Sequence, residues 1–175
     1  MEYGLLLYCK LYHNLESFRK KYDIHAKEPV KFPAHITLSY LRKDLSSFEI
    51  NDIIENLSKC KSFNLKFSNI IEKNDIIYLE PDLEQNSIID KINDSISNYI
   101  IKYPKSGYHI TLAYNHYAKI NLSMTDRIKI NKLKNDIVKQ PLEVKFEKIW
   151  LVKRNKNKNK NKNKNWFRSK TINLK

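Results

Sequence analysis

Ala34-His35-Ile36-Thr37-Leu38-Ser39-Tyr40 is answered in the other half of the chain by Tyr108-His109-Ile110-Thr111-Leu112-Ala113-Tyr114. The tetrapeptide His-Ile-Thr-Leu is identical in the two copies, and a tyrosine closes both. Polar and apolar residues alternate through each copy, which predicts a half-buried β-strand. Side chains two apart on a strand share a face. His35, Thr37 and Ser39 are therefore expected on one face, with Ile36, Leu38 and Tyr40 on the other. The second copy predicts His109 and Thr111 on one face, with Ile110, Leu112 and Tyr114 behind. Each copy offers an imidazole and a hydroxyl over an apolar anchoring face. Ala113 stands where the first copy has Ser39, so the repeat does not require that serine.

This pairing suits chemistry on a phosphodiester. One proton must leave an attacking oxygen and another must reach a departing oxygen. Histidine can do either job near neutral pH. Threonine hydroxyls can donate to the non-bridging oxygens, where negative charge accumulates. Two copies facing one phosphorus would supply a base, an acid and two donors. A lone His-x-Thr carries little information, and a duplicated structural strand is the competing explanation for the pair.

The two motifs resemble the signature of the 2H phosphoesterase superfamily, which has His-x-Thr/Ser-x twice. That group includes bacterial 2′-5′ RNA ligase-like proteins and cyclic nucleotide phosphodiesterases of RNA metabolism. His35, Thr37, His109 and Thr111 match it. The resemblance implies an α+β, bilobal 2H phosphoesterase-like fold, with two pseudo-symmetric β-α-β-α-β lobes whose antiparallel sheets line a central cleft. It implies metal-independent hydrolysis or transesterification of RNA-type phosphodiesters, either 2′,3′-cyclic phosphates or 2′-5′ linkages. His35 and His109 would be the catalytic pair, and Thr37 and Thr111 the phosphate-binding residues. The alternative is a non-catalytic RNA- or nucleotide-binding module that keeps the motif strands as relics.

Composition agrees with a single domain over residues 1–175. The chain has 175 residues and 41% hydrophobic content, enough for a sizeable core. No apolar run is long enough to predict a membrane span. The opening Met-Glu-Tyr-Gly-Leu-Leu-Leu-Tyr lacks a basic region and a cleavage site, so it reads as a first strand rather than a signal peptide. Cys9 and Cys60 have no metal-ligand spacing and are expected as reduced thiols in a cytoplasmic protein. Only 2 glycines occur, which excludes glycine-rich phosphate loops. No metal or cofactor is expected, and the protein is expected to act as a monomer. The formal charge is +14, and Lys153, Arg154 and the lysines of the 155–165 Asn-Lys tract supply half of it. Such charge favours a polyanionic partner, RNA or nucleotide. Codon-driven drift toward Lys and Asn explains the tract itself equally well.

The element order reads as a repeat. Leu5–Cys9 is a buried strand. Asn14 is expected to cap a helix carrying Leu15, Phe18 and Tyr22. The first motif strand follows Pro33. Ser46 to Glu49 is a capping box before a helix with Ile50, Ile53, Ile54 and Leu57 on one face, and Phe63–Phe67 alternates as a strand. The order then restarts. Ile76–Leu79 should pair with the Phe63 strand or its extension. Ile88 to Ile100 marks a helix, and Lys105-Ser106-Gly107 turns into the second motif. Ser123 to Asp126 is a second capping box, with Met124, Ile128, Leu133 and Ile137 expected on its helix's buried face. The alternation breaks at Glu147-Lys148, which predicts a bulge. Residues 143–153 and 166–174 are read as a terminal hairpin with the Asn-Lys tract as its loop. His13, His25 and His116 have no partner motif and are read as surface or structural. Tyr8, Tyr12, Trp150 and Trp166 could stack on a base, but core packing is the plainer role for each.

Overall fold

The apolar stretches become antiparallel strands, and the 3.6-period stretches become helices laid across them. The computed structural model describes residues 2–27, 32–73, 75–105, 107–115, 119–154 and 166–175. In chain order the elements are β1 (Glu2–Cys9), α1 (His13–Tyr22), β2 (His35–Leu41), α2 (Ser47–Ser58), β3 (Phe63–Phe67), β4 (Asn69–Lys73), β5 (Ile76–Glu80), α3 (Asn86–Asp94), β6 (Ile100–Lys102), β7 (Ile110–Tyr114), α4 (Met124–Lys139), β8 (Leu142–Arg154) and β9 (Trp166–Asn173). His116, the lead-in residue Lys31, the turn residue Ser106 and the Asn-Lys tract lie outside the described residues.

The strands run in the order β3-β8-β1-β2-β7-β5-β4, with β9 added to β8 and β6 to β2. The motif strands β2 and β7 meet at the centre through the pair Ile36–Ile110. That junction divides the path into two antiparallel lobes. The lobes exchange parts: β8, from the second half of the sequence, lies between β3 and β1, and β4, from the first half, lies beside β5. The helices cross too, since α1 packs against β7 and α3 against β2.

The apolar face of each motif anchors it. Ile36, Leu38, Ile110 and Leu112 are fully buried, together with Leu5 and Leu7 of β1. Each such side chain stabilises the fold by about 1.5–3 kcal/mol. A one-residue slip would put these groups in solvent and the histidines in the core, so the burial fixes which face carries the imidazoles.

Both motif strands then break alternation at the same place. Leu5 pairs with Ser39 and Leu6 with Thr37, which leaves Leu38 as an extra residue in β2. Ile77 pairs with Ala113 and Tyr78 with Thr111, which leaves Leu112 extra in β7. A bulge inverts the faces beyond it. Ser39 is therefore buried in the core, not in the cleft, and Ala113 is buried likewise. Tyr40 and Tyr114 swing to the histidine face instead of lying behind it. Asn93 of α3 donates to the Leu38 carbonyl at 3.4 Å and to the Tyr108 hydroxyl at 2.9 Å, supporting the first bulge from the core side.

The ends of the helices sort by capping chemistry. Ser46 accepts from the Glu49 amide while Glu49 accepts from the Ser46 amide, a complete box. Ser123 accepts from the Asp126 amide and donates its hydroxyl to the Asp126 carboxylate at 2.7 Å. The Ser123 amide, however, donates to the Tyr22 hydroxyl instead, and the carboxylate also accepts from Lys21 at 2.5 Å and Tyr22 at 2.6 Å. Those bonds set the roll of α4, which buries Asp126, Ile130 and Ile137. Met124 and Ile128, two positions to either side of Asp126, point outward and are exposed, against expectation. Two residues turn a helix by about 200°. Asn14 lies inside α1, whose cap position is Tyr12 without a side-chain bond. The helix expected over Ile88 to Ile100 stops at Asp94, and Ile100 instead begins β6, pairing with Leu41. The extension of the Phe63 strand is β4, which pairs with β5. β8 and β9 form the expected terminal hairpin, and Glu147 is the bulged residue, since Tyr8 pairs with Lys148 and Cys9 with Phe146. Cys9 and Cys60 are free thiols.

Candidate active site

The central Ile36–Ile110 pair decides the site. In an antiparallel register about that pair, His35 falls beside Thr111 and Thr37 beside His109. The two histidines are then diagonal neighbours on one face, with backbones about 7–8 Å apart and Cβ atoms somewhat closer. All four side chains line one cavity of about 480 Å3 at the junction of the lobes.

Each histidine is held the same way. The Nδ1 of His35 lies 2.8 Å from the Pro33 carbonyl oxygen, and that of His109 lies 3.1 Å from the Gly107 carbonyl oxygen. A carbonyl can only accept, so Nδ1 carries the proton and donates in both cases. The neutral ring therefore leaves Nε2 bare. Gly107 reaches its carbonyl position with φ of 73°, a conformation that favours glycine. An aromatic ring also packs on each imidazole: Phe32 edge-on to His35 at 5.9 Å and Tyr78 tilted against His109 at 5.1 Å.

The two rings are electrostatically unlike. Burial pushes the His35 pKa down to about 4, and the positive charges of Arg19, His25 and His109 push the same way, against its bond to Pro33. Burial also lowers the His109 pKa, but the Gly107 bond and the nearby Glu80 carboxylate oppose it. His35 is the more firmly neutral ring, and His109 has an acidic neighbour to sustain its cation.

Arg19 is the unexpected member. Only 1% exposed, it reaches the cavity wall from α1, donates to the Phe32 carbonyl at 2.6 Å and pairs with buried Asp23 at 3.1 Å. Asp23 accepts in turn from the His25 amide at 3.0 Å. His25 lines the same cavity, its ring stacked on Tyr114 at 5.5 Å. Tyr40, Lys102 and Trp166 line the cavity as well. The repeated tyrosine was a signal in the sequence. Arg19 had none, because a buried arginine in a helix is spelled like an exposed one. Among the described residues no group of three His, Cys, Asp or Glu side chains could hold a metal ion. Among the same residues, no helix is long and apolar enough to cross a membrane.

Solved structures share this architecture over their full length. A protein described as a phosphoesterase superposes with a TM-score of 0.56 at 12% identity, covering 99% of this chain and 98% of its own. Escherichia coli LigT complexed with 3′-AMP gives 0.55 at 11% identity, covering 99% and 97%. The fold is that of the 2H phosphoesterases. Usb1 of Kluyveromyces marxianus, with a TM-score of 0.54 and 13% identity over 99% and 98% of the two chains, shares the same 2H fold. No family model and no curated protein matches the sequence. At such identities the 2H likeness resides in backbone path, and the residues of the cavity have to be read from their own geometry.

Proposed function

We propose that this protein is a metal-independent phosphodiesterase acting on RNA-type phosphodiesters, 2′,3′-cyclic phosphates or 2′-5′ linkages, by paired-histidine acid–base catalysis. The observation that carries the reading is the matched placement of His35 and His109. Each is locked by its Nδ1 to a carbonyl two residues back, and each faces one cavity with a threonine beside it. LigT has been crystallised with 3′-AMP, ATP and NADP+, which supports a nucleotide ligand here.

His35, held neutral, takes the proton from the attacking oxygen through its bare Nε2. For a cyclic phosphate the attacker is water, and one of the two ring P–O bonds breaks. For a 2′-5′ linkage it is the neighbouring 3′-hydroxyl, which closes a 2′,3′-cyclic phosphate as the 5′-oxygen departs. His109, protonated in the complex, gives its Nε2 proton to the leaving oxygen. Thr37 and Thr111 donate to the non-bridging oxygens as their charge grows. The nucleophile is the vicinal hydroxyl of the 2′-5′ linkage or water on the cyclic phosphate, and the imidazoles supply both proton transfers, so no metal is required by the chemistry.

Turnover of a 2′,3′-cyclic nucleotide and of a 2′-5′ dinucleotide, followed by chromatography, tests this. His35→Ala and His109→Ala should each reduce the rate by about 10²–10⁴, and chelators should leave it unchanged. Nucleotide binding without turnover in the unaltered protein would establish the binding-module alternative.

A further inference from the structure

The histidines occupy one edge of a larger surface. On the same face of the first lobe, the strand next to β2 presents Tyr8, Leu6 and Gly4, and β8 beyond it presents Trp150, Val152 and Arg154. Tyr8 pairs directly with His35 and lies parallel to Trp150, with centroids 5.3 Å apart and planes within 3°. The Arg168 guanidinium of β9 sits over Trp150 at 4.7 Å. Trp166 leans back across Gly4, whose missing side chain leaves the indole ring 3.5 Å from the place a Cβ would occupy. It thereby meets Tyr40 at 6.3 Å and 46°, and Arg154 covers it at 5.5 Å. Both tryptophans of the chain thus stand on this face, each under an arginine. Trp150 and Arg154 are separated by about 13 Å of strand.

The charge on this surface is one-sided. Arg154 is partly neutralised by Glu2 at 3.4 Å. Arg168 is exposed and makes no ion pair among the described residues. A guanidinium lying on an indole keeps its edge free for phosphate oxygens while presenting a flat face to a base.

We propose that this face is a binding strip for single-stranded RNA, continuing the cleft so that nucleotides flanking the reacting phosphate stack on Trp166 with Tyr40 and on the Trp150–Arg168 pair. The inference rests on the nucleotide reading of the cleft, and it makes an oligonucleotide rather than a free mononucleotide the ligand that fills the whole surface. Aromatic platforms interleaved with cations suit single strands because every base has a face to stack and every link has a charge. A protein partner with an acidic segment would use the charge of the arginines but leave the flat outer faces of their guanidinium groups without a matching plane.

Intrinsic tryptophan fluorescence of the full chain tests the strip directly. The probes are 2′-O-methyl oligoadenylates of two and eight nucleotides, whose blocked hydroxyls cannot attack the phosphate, and an eight-residue glutamate peptide. The octamer should quench both tryptophans, resolved in Trp150→Phe and Trp166→Phe, and should bind about tenfold or more tighter than the dinucleotide. Trp150→Ala and Arg168→Ala, with folding checked by circular dichroism and melting, should each remove most of that advantage. Equal affinity for the two lengths overturns the proposal, as does quenching confined to Trp166. Quenching by the peptide as strong as by the octamer would reassign the face to an acidic protein partner. Because none of these probes is turned over, failure of the catalytic reading leaves the measurement intact, and failure of the strip leaves turnover of small substrates intact.

Discussion

Arg19→Met removes the one buried cation of the cavity wall while keeping the length and apolar character of the side chain. Asp23 then loses its partner at 3.1 Å, and the Phe32 carbonyl loses a donor at 2.6 Å. Both members of the pair are 1% exposed, so water cannot take over. Orphaning one charge of a buried pair costs about 3–5 kcal/mol. With a urea m-value of about 2 kcal/mol/M for a domain of this size, the unfolding midpoint should fall by about 2 M. Burial already holds the Asp23 carboxyl above its ordinary pKa beside Arg19. Arg19 lowers that pKa, so its loss raises it further. A carboxyl with a raised folded pKa stabilises the native state as pH falls; the variant gains more than the unaltered protein, and its deficit should shrink on acidification. Arg19→Met/Asp23→Leu removes both charges and should recover more than half of the loss. A single variant that loses less than about 1 kcal/mol, or a double variant less stable than the single, would refute the account of this pair. The cleft provides an independent readout. Arg19 helps to hold the His35 pKa down, so Arg19→Met should move the acidic limb of kcat/KM to higher pH.

In the unaltered protein kcat/KM should be bell-shaped and centred on the acidic side of neutrality. Activity rises through a His35 pKa of about 4 as the base becomes neutral, then falls through a His109 pKa below 6.5 as the acid loses its proton; a maximum above pH 7 would contradict the assignment. The depressed His35 pKa also means that the unfolded chain takes up its proton first, so native stability should decline as pH drops from 6.5 toward 4, a decline that chemical denaturation can follow. Gly4→Val should lift the Trp166 ring off Tyr40, since a Cβ would already be in van der Waals contact with it at 3.5 Å and the two methyls beyond need the space the ring fills; the emission of Trp166 in a Trp150→Phe background should shift to the red, and an unchanged spectrum would refute the docking of the indole over Gly4. Arg154 pairs with Trp166, so the residues flanking the 155–165 tract are adjacent, and shortening the tract to a tight turn should change stability by about 1 kcal/mol or less. A shortened chain that unfolds in the same denaturant titration would overturn that reading.

Whatever is periodic or local is legible along a single segment. The two His-Ile-Thr-Leu strands, their apolar anchoring face, the Ser46 capping box, the Glu147 bulge and the β8–β9 hairpin all follow from spacing within a few residues. Tertiary structure decided the faces beyond the motif. Alternation correctly orients residues 35–38 and 109–112, but the extra residues Leu38 and Leu112 exist only relative to the partner strands β1 and β5. A one-residue offset is enough to bury Ser39 and to bring Tyr40 and Tyr114 to the cavity. The roll of α4 was likewise decided from outside, since Lys21 and Tyr22, far away in sequence, hold Asp126 inward and turn Met124 and Ile128 out. Arg19, Asp23 and Trp166 reach the site from a helix, its trailing residue and the last strand. Their chemistry depends on a partner at 3.1 Å or on a neighbour without a side chain, and no pattern along one chain segment encodes a contact that another segment completes.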